Sequence, residues 1–223
     1  MSMDPHRNGA VLHAGASLSD AAAVVILLHG RGSSAGDILE LASAFDLTDV
    51  AYLAPQASAH TWYPQSFLAP REVNEPYLSS ALAKVGAIVR SIQEAGIQRD
   101  RVVIAGFSQG ACLATEFVAK HPARYGGLIA FTGGLIGAPG TLHLSADHHT
   151  IALAGTPALL CSGDPDMHVP WKRVQESALI LSAKGASVTT QRYPGRAHTI
   201  SAEELGSARS LLEIARSSSN NST

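Results

Sequence analysis

Short apolar runs alternate along the chain with segments whose apolar residues recur every three or four positions. The apolar runs predict buried β-strands at residues 24–29, 50–54, 101–107, 128–131 and 158–161, and the alternating pattern at 188–193 predicts an outer strand. The periodic segments predict helices that begin near residue 34, span 78–95, 109–120 and 170–185, and follow Ser201. Ser201 and Glu204 form a predicted capping box at the start of this last helix. Such alternation is typical of an α/β fold, in which helices flank both faces of a mostly parallel sheet.

The ends of the chain lack this pattern. Residues 1–9 and 217–223 are polar and without periodicity, so we expect both ends to be disordered. No long stretch rich in Pro, Gly or Ser interrupts the segment between them. We therefore predict a single domain over residues 10–216.

Composition excludes several classes of function. Apolar residues make up 46% of the 223 residues, enough for a large core. Sixteen basic and eighteen acidic side chains leave a net charge of −2, which argues against a nucleic-acid or anionic-membrane surface. Any electrostatic attraction of a substrate must therefore be local.

Neither membrane insertion nor a disulfide framework is expected. The strongest apolar run, residues 21–28, is far shorter than the roughly 20 residues that cross a bilayer. Cys112 and Cys161 stand inside apolar runs, which indicates buried, reduced thiols. We predict a cytoplasmic protein, either a monomer or a homodimer.

A candidate nucleophile lies between a predicted strand and a predicted helix. The segment Gly106-Phe107-Ser108-Gln109-Gly110 has the G-x-S-x-G pattern in this strand-turn-helix context. Such a turn exposes the serine hydroxyl above the sheet beside a helix N-terminus. The sequence therefore predicts Ser108 as a nucleophile.

A serine hydroxyl needs a base, and the base needs an acid that orients it. In this kind of turn the acid and then the histidine should follow later strands. Asp164 and Asp166 follow the strand at 158–161, and His198 follows the strand at 188–193. His198 is the candidate base, while these positions alone leave both aspartates open as the acid.

Four motifs in this order, HGRG, GFSQG, GDPDMHVP and GRAH, together resemble the phospholipase/carboxylesterase family, which includes the acyl-protein thioesterases. The resemblance runs from about residue 24 to 215 and implies an α/β-hydrolase fold. It implies Ser108 as the nucleophile and His198 as the general base and then acid. Of the two aspartates, the family pattern selects Asp166.

An ester carbonyl that is attacked gains negative charge, which backbone N–H groups usually stabilise. One donor should be the N–H of Gln109 at the start of its helix. The resemblance points to the N–H of Arg31 as the second donor, while His29 should brace the turn. Family members often carry an apolar residue at position 31. The Arg31 side chain therefore either meets a polar or acidic part of the substrate or is a solvated loop residue.

The predicted substrate pocket draws on the long loop at 60–77 and on the residues after Asp166. Aromatic side chains in the loop either form an apolar wall or simply pack beneath it. His168 is expected at the rim rather than as a second base. The predicted substrate-binding residues are Gly30, Trp62, Phe67, Met167 and His168.

A second cluster of histidines is interpreted as a polar turn. His143, Asp147, His148 and His149 match no metal-ligand spacing, so no metal site is predicted. The predicted chemistry also needs no cofactor.

These observations predict a serine hydrolase that cleaves small or medium acyl and aryl esters through an acyl-enzyme. The alternatives are a lysophospholipase or acyl thioesterase, and a dienelactone-type hydrolase with a compact, polar pocket. A noncatalytic binding protein on the same fold is the least favoured, because all three triad residue types are present in order. The partner is then a small-molecule ester.

Overall fold

A computed structural model describes residues 4–142 and 153–217. The strands are β1 Val11–Gly15, β2 Ala23–Leu28, β3 Val50–Pro55, β4 Val102–Phe107, β5 Gly127–Phe131, β6 Pro157–Asp164 and β7 Ser187–Pro194. The helices are α1 Ala35–Leu39, α2 Leu41–Phe45, α3 Tyr77–Glu94, α4 Gln109–Lys120, α5 Trp171–Ala183 and α6 Ala202–Ser217. All six strands that the sequence predicts are present. The helix predicted from residue 34 consists of two short helices.

In the described part of the chain the strands form one seven-stranded sheet in the order β1-β3-β2-β4-β5-β6-β7. Every neighbouring pair is parallel except β1 with β3. The predicted mostly parallel sheet is therefore confirmed. Sequence analysis missed β1 because this edge strand is largely exposed and carries no continuous apolar run.

Strand β2 shows why its sequence is apolar without interruption. Val24, Ile26 and Leu28 belong to one core cluster, which helices α3, α4 and α5 cover. Val25 and Leu27 belong to the cluster on the opposite face, where α1, α2 and α6 pack. A central strand covered on both faces needs apolar side chains at every position.

Both cysteines are free and buried, as predicted. No helix among residues 4–142 and 153–217 combines the length and the apolar character needed to cross a membrane. The last helix ends at Ser217, and the rest of the predicted disordered tail, 218–223, lies outside the described residues.

The expectation that residues 1–9 are disordered is wrong for the described residues 4–9. The His6 side chain is fully buried and its ring bonds the Trp62 carbonyl through Nε2 at 3.0 Å. The Ser58 N–H donates to His6 Nδ1 at 3.0 Å, and Lys84 Nζ donates to the Gly9 carbonyl at 2.6 Å. These long-range polar contacts follow no periodicity, so the sequence pattern gave no sign of them.

Replacing His6 with alanine should lower the free energy of unfolding by about 1–3 kcal/mol, because it leaves the buried Trp62 carbonyl without its partner. His13, an exposed histidine of the nearby strand β1, is the matched control. His13→Ala should change stability by less than about 0.5 kcal/mol. Chemical denaturation of both variants measures the difference, and equal losses would contradict the anchoring role of His6.

Candidate active site

Ser108 occupies the sharp turn between strand β4 and helix α4. Its backbone adopts φ 53° and ψ −116°, a conformation that costs a residue with a side chain about 1–3 kcal/mol. Two hydrogen bonds hold it there: the Ser108 N–H donates to the Phe131 carbonyl at 2.9 Å, and the Ser108 carbonyl accepts from the Cys112 N–H at 3.0 Å. The surrounding structure thus imposes the strained turn.

Glycines on both sides of the serine are a steric requirement. A Cβ atom on Gly106 would lie 2.5 Å from the carbonyl carbon and oxygen of Gly110. A Cβ atom on Gly110 would lie 2.0 Å from the carbonyl oxygen of Leu28, at the end of β2. Helix α4 therefore begins in direct contact with two strand ends, which explains the G-x-S-x-G pattern.

The structure brings the three predicted triad residues together. His198 Nε2 lies 2.9 Å from Ser108 Oγ, and His198 Nδ1 lies 2.8 Å from Asp166 Oδ2. The His198 ring also contacts the rings of Phe107 and His168, with centroids 5.0 and 4.9 Å apart. The imidazole is thus fixed between the hydroxyl and the carboxylate.

Asp166 is held as a carboxylate by backbone donors. Its Oδ1 atom accepts from the N–H groups of His168 and Val169, both at 2.8 Å. Burial alone would raise the pKa of the Asp166 carboxyl. Hydrogen bonds from the Val169 N–H, the His198 ring and the His168 N–H lower that pKa by more than burial raises it, so it lies below its ordinary value. Asp166 is therefore ionised at neutral pH.

Asp164, the alternative acid, lies elsewhere. Its carboxylate pairs with the Arg192 guanidinium. The two aspartates are therefore distinguished by their partners, and only Asp166 contacts His198.

Arg196, which the sequence pattern did not single out, and Glu204 hold the loop of His198 in place. Arg196 forms an ion pair with the fully buried Glu204 and donates to the Thr199 carbonyl at 2.7 Å. Glu204 also accepts from the Ser201 N–H at 2.8 Å, as part of the predicted capping box. The capping pattern pointed to Ser201 and Glu204, but no local pattern connects a loop arginine to that glutamate.

The turn after β2 lies beside the serine. A Cβ atom on Gly30 would be 3.6 Å from Ser108 Cβ. The N–H of Arg31 has no hydrogen-bond partner among the described residues, and Gln109, as the first residue of α4, has no acceptor for its N–H within the helix. Within residues 4–142 and 153–217 these two backbone donors are thus unpaired, and they belong to the turn and the helix that adjoin Ser108.

His29 braces this turn, as expected. Its Nδ1 bonds the Gly30 carbonyl at 2.8 Å, and its Nε2 accepts from the Ala57 N–H at 3.1 Å. Burial lowers the pKa of the His29 ring, so the ring is neutral and can accept at Nε2.

The guanidinium of Arg31 is bound to the loop at 61–65. The sequence predicts either contact with the substrate or a solvated side chain, and neither alternative includes this binding. Nη1 donates to Thr61 Oγ1 at 3.1 Å and to the Pro64 carbonyl at 2.9 Å, and Nη2 donates to the Gln65 carbonyl at 2.7 Å. The side chain is exposed and still ordered by three hydrogen bonds.

The Gln109 side chain, which sequence analysis did not consider, holds the same loop from the other side. Its Oε1 accepts from the Trp62 N–H at 3.0 Å, and its Nε2 donates to the Tyr63 carbonyl at 2.7 Å. The residue that supplies a backbone donor therefore also fixes a wall of the site.

A cleft of about 540 Å³ opens in front of Ser108. Three of the five predicted substrate-binding residues line it: Gly30, Phe67 and His168. Tyr63, Phe107 and Cys112 add further apolar surface. Burial raises the pKa of the Cys112 thiol to about 12, so it is no competing nucleophile at neutral pH.

Trp62 and Met167 do not line the cleft, which corrects the sequence prediction. Trp62 is fully buried because its ring packs between His6 and His29 and its Nε1–H donates to the His29 carbonyl at 2.9 Å. Met167 is 98% exposed, because the turn that points the Asp166 carboxylate inward directs the next side chain into solvent.

Within residues 4–142 and 153–217 no group of three or more His, Cys, Asp or Glu side chains could hold a metal ion. The histidine cluster considered above, His143, Asp147, His148 and His149, lies outside the described residues.

The fold and this arrangement define an α/β-hydrolase. Residues 13–216 match the family model described as Phospholipase/Carboxylesterase, so the chain belongs to that family and is an ester-cleaving hydrolase. A probable carboxylesterase from Arabidopsis thaliana is 31% identical over 150 residues, which are 67% of this chain and 56% of that relative. An acyl-protein thioesterase 1 from Yarrowia lipolytica is 24% identical over 210 residues, covering 86% and 91% of the two chains.

Solved structures agree. The crystal structure of a phospholipase/carboxylesterase from Dyadobacter fermentans has a TM-score of 0.87 and 42% identity, and covers 96% of this chain and 100% of that one. The Bacillus cereus carboxylesterase has a TM-score of 0.74 at 20% identity, with 94% and 95% covered, and supports the fold alone. Family membership removes the noncatalytic alternative.

Because α4 and β2 are in direct contact, a side chain at position 110 should destabilise the protein. Gly110→Ala should lower the free energy of unfolding by about 2–4 kcal/mol or prevent folding, because its Cβ atom overlaps the Leu28 carbonyl. Gly206→Ala in helix α6, where a Cβ atom meets nothing within 4 Å, should instead stabilise by about 0.5–1 kcal/mol. Thermal and denaturant unfolding report both, and a Gly110→Ala protein as stable as the parent would contradict the steric argument.

Proposed function

We propose that the protein is a serine esterase in which Ser108 attacks the ester carbonyl, His198 acts as general base and then acid, and Asp166 orients the imidazole. The observation that carries this proposal is the chain of two hydrogen bonds, 2.9 and 2.8 Å long, from Ser108 Oγ through His198 to Asp166. The strained turn at Ser108 supports it, since a partly exposed serine beside a helix N-terminus suits nucleophilic attack.

The protonation states follow from the partners. An ionised Asp166 only accepts hydrogen bonds, so His198 carries its proton on Nδ1 and presents a free lone pair on Nε2 to the Ser108 hydroxyl. As Oγ attacks the carbonyl carbon, its proton moves to Nε2. The resulting imidazolium gives that proton to the leaving alcohol, and the acyl group stays on Ser108.

The second half repeats these steps with water. His198 Nε2 removes a proton from a water molecule that attacks the acyl carbon, and the proton then returns to Ser108 Oγ as the acid is released. In both halves the carbonyl oxygen becomes negatively charged. We assign its stabilisation to the N–H groups of Arg31 and Gln109, which adjoin Ser108 and have no hydrogen-bond partner among the described residues.

Small or medium acyl and aryl esters are the proposed substrates. The rings of Tyr63, Phe67 and Phe107 give the cleft an apolar wall for an acyl or aryl group, while Gly30 and His168 border the reacting hydroxyl. This aromatic lining favours open-chain esters over the compact, polar pocket expected of a dienelactone-type hydrolase.

A thioester is the second candidate substrate, because a relative covered over 91% of its length is named an acyl-protein thioesterase. The same proposed triad would serve, since only the leaving group differs. Hydrolysis rates measured on an oxygen ester and a thioester of the same acyl group, and on a lysophospholipid, rank the three substrate types.

Ser108→Ala should lower the rate of p-nitrophenyl butyrate hydrolysis by a factor of about 1,000 or more and abolish labelling by a fluorophosphonate. Asp166→Asn should lower kcat by a factor of about 100 to 10,000, because the amide no longer stabilises the imidazolium. Steady-state kinetics on purified, folded variants give both numbers.

Asp164→Asn is the matched control, since it removes a neighbouring carboxylate whose partner is the exposed Arg192. It should retain activity within about threefold. Normal labelling of Ser108→Ala, or an Asp164→Asn loss as large as that of Asp166→Asn, would refute the assignment.

A further inference from the structure

The described lining of the cleft carries positive charge without an opposing acid. Arg31 lies among its lining residues, which include no Asp or Glu. The Asp166 side chain is fully buried behind His198 and bonded to three donors. The charge that lines the cleft is therefore positive, although the whole chain has a net charge of −2.

Arg31 also retains hydrogen-bonding capacity. A guanidinium has five N–H groups, and those of Arg31 make three hydrogen bonds to described residues, two from Nη1 and one from Nη2. The acceptors are two carbonyls and a hydroxyl, all uncharged, and no carboxylate among the described residues pairs with it. Nε–H and one Nη2–H are thus left without a partner among the described residues, and a guanidinium can bind a carboxylate through two such N–H groups.

The guanidinium is also preorganised. Its three hydrogen bonds to the 61–65 loop fix the planar group before any ligand arrives, so binding an anion requires little further ordering. The same residue contributes the N–H that we assign to the ester oxyanion. The Arg31 guanidinium is therefore close to the place that we assign to the reacting carbonyl.

We propose that Arg31 selects esters that carry an anionic group, such as a carboxylate, a few bonds from the scissile carbonyl. This inference rests on the proposed esterase function. The apolar wall of Tyr63 and Phe67 then contacts the carbon chain or ring that separates the two groups.

Matched pairs of substrates test the proposal. Ethyl hydrogen adipate against ethyl hexanoate places the carboxylate on the acyl side, and 4-butyryloxybenzoate against 4-butyryloxybenzamide places it on the alcohol side. The measured quantity is the ratio of kcat/KM for the anionic and the neutral member of each pair. The wild-type ratio should exceed one for at least one pair and should fall towards one as salt is raised to about 1 M.

Arg31→Gln should lower that ratio by about three- to tenfold, as expected for a partly exposed charge-assisted contact. Arg31→Lys keeps the charge without the fork and should give an intermediate ratio. Arg209→Gln removes an exposed arginine of helix α6 and should leave the ratio unchanged.

The ratio separates recognition from support of the loop. If Arg31 only holds the 61–65 loop, Arg31→Gln slows both members of a pair equally, and this result overturns the proposal. A wild-type ratio below one for both pairs, or insensitive to salt, overturns it even if the variants do not fold. Absence of hydrolysis of every ester by the wild-type protein instead refutes the esterase function itself.

Discussion

Helix α4 starts in contact with the end of strand β2, with no room for a side chain between them. The Cβ atom that Gly110 lacks would lie 2.0 Å from the Leu28 carbonyl oxygen. Because β2 leads directly into the turn at 29–32, this contact places the turn that carries Gly30 and Arg31 beside Ser108 at the start of α4. The position of the hydroxyl, both proposed oxyanion donors and the strained turn therefore depend on one close approach of backbone to backbone.

The rest of the site is fixed by polar contacts that leave its members little freedom. Backbone N–H groups keep Asp166 ionised, which sets the proton of His198 on Nδ1 and leaves Nε2 for the serine. The buried pair of Arg196 and Glu204 anchors the loop that carries His198. The polar groups of the site are therefore already in position before a substrate binds, as electrostatic stabilisation of a transition state requires.

The sequence predicts the sheet and the positions of Ser108 and His198, because motifs at strand ends depend on local backbone geometry. The choice of Asp166 over Asp164 comes from the resemblance to the family. It fails where a side chain's environment is set by distant residues. Trp62 was expected at the pocket but fills a space between His6 and His29, and His6 itself was expected in a disordered end. No local pattern distinguishes an aromatic that faces a cleft from one that packs beneath a loop.

The central claim is that the acyl group passes through Ser108. An aryl dimethylcarbamate tests it directly, because a carbamoyl group leaves a serine slowly enough to be located by mass spectrometry of the digested protein. We expect one carbamoyl group per chain on the peptide that contains Ser108, with activity returning as the group is lost. Inactivation with the carbamoyl group on another residue, Cys112 for example, would contradict it.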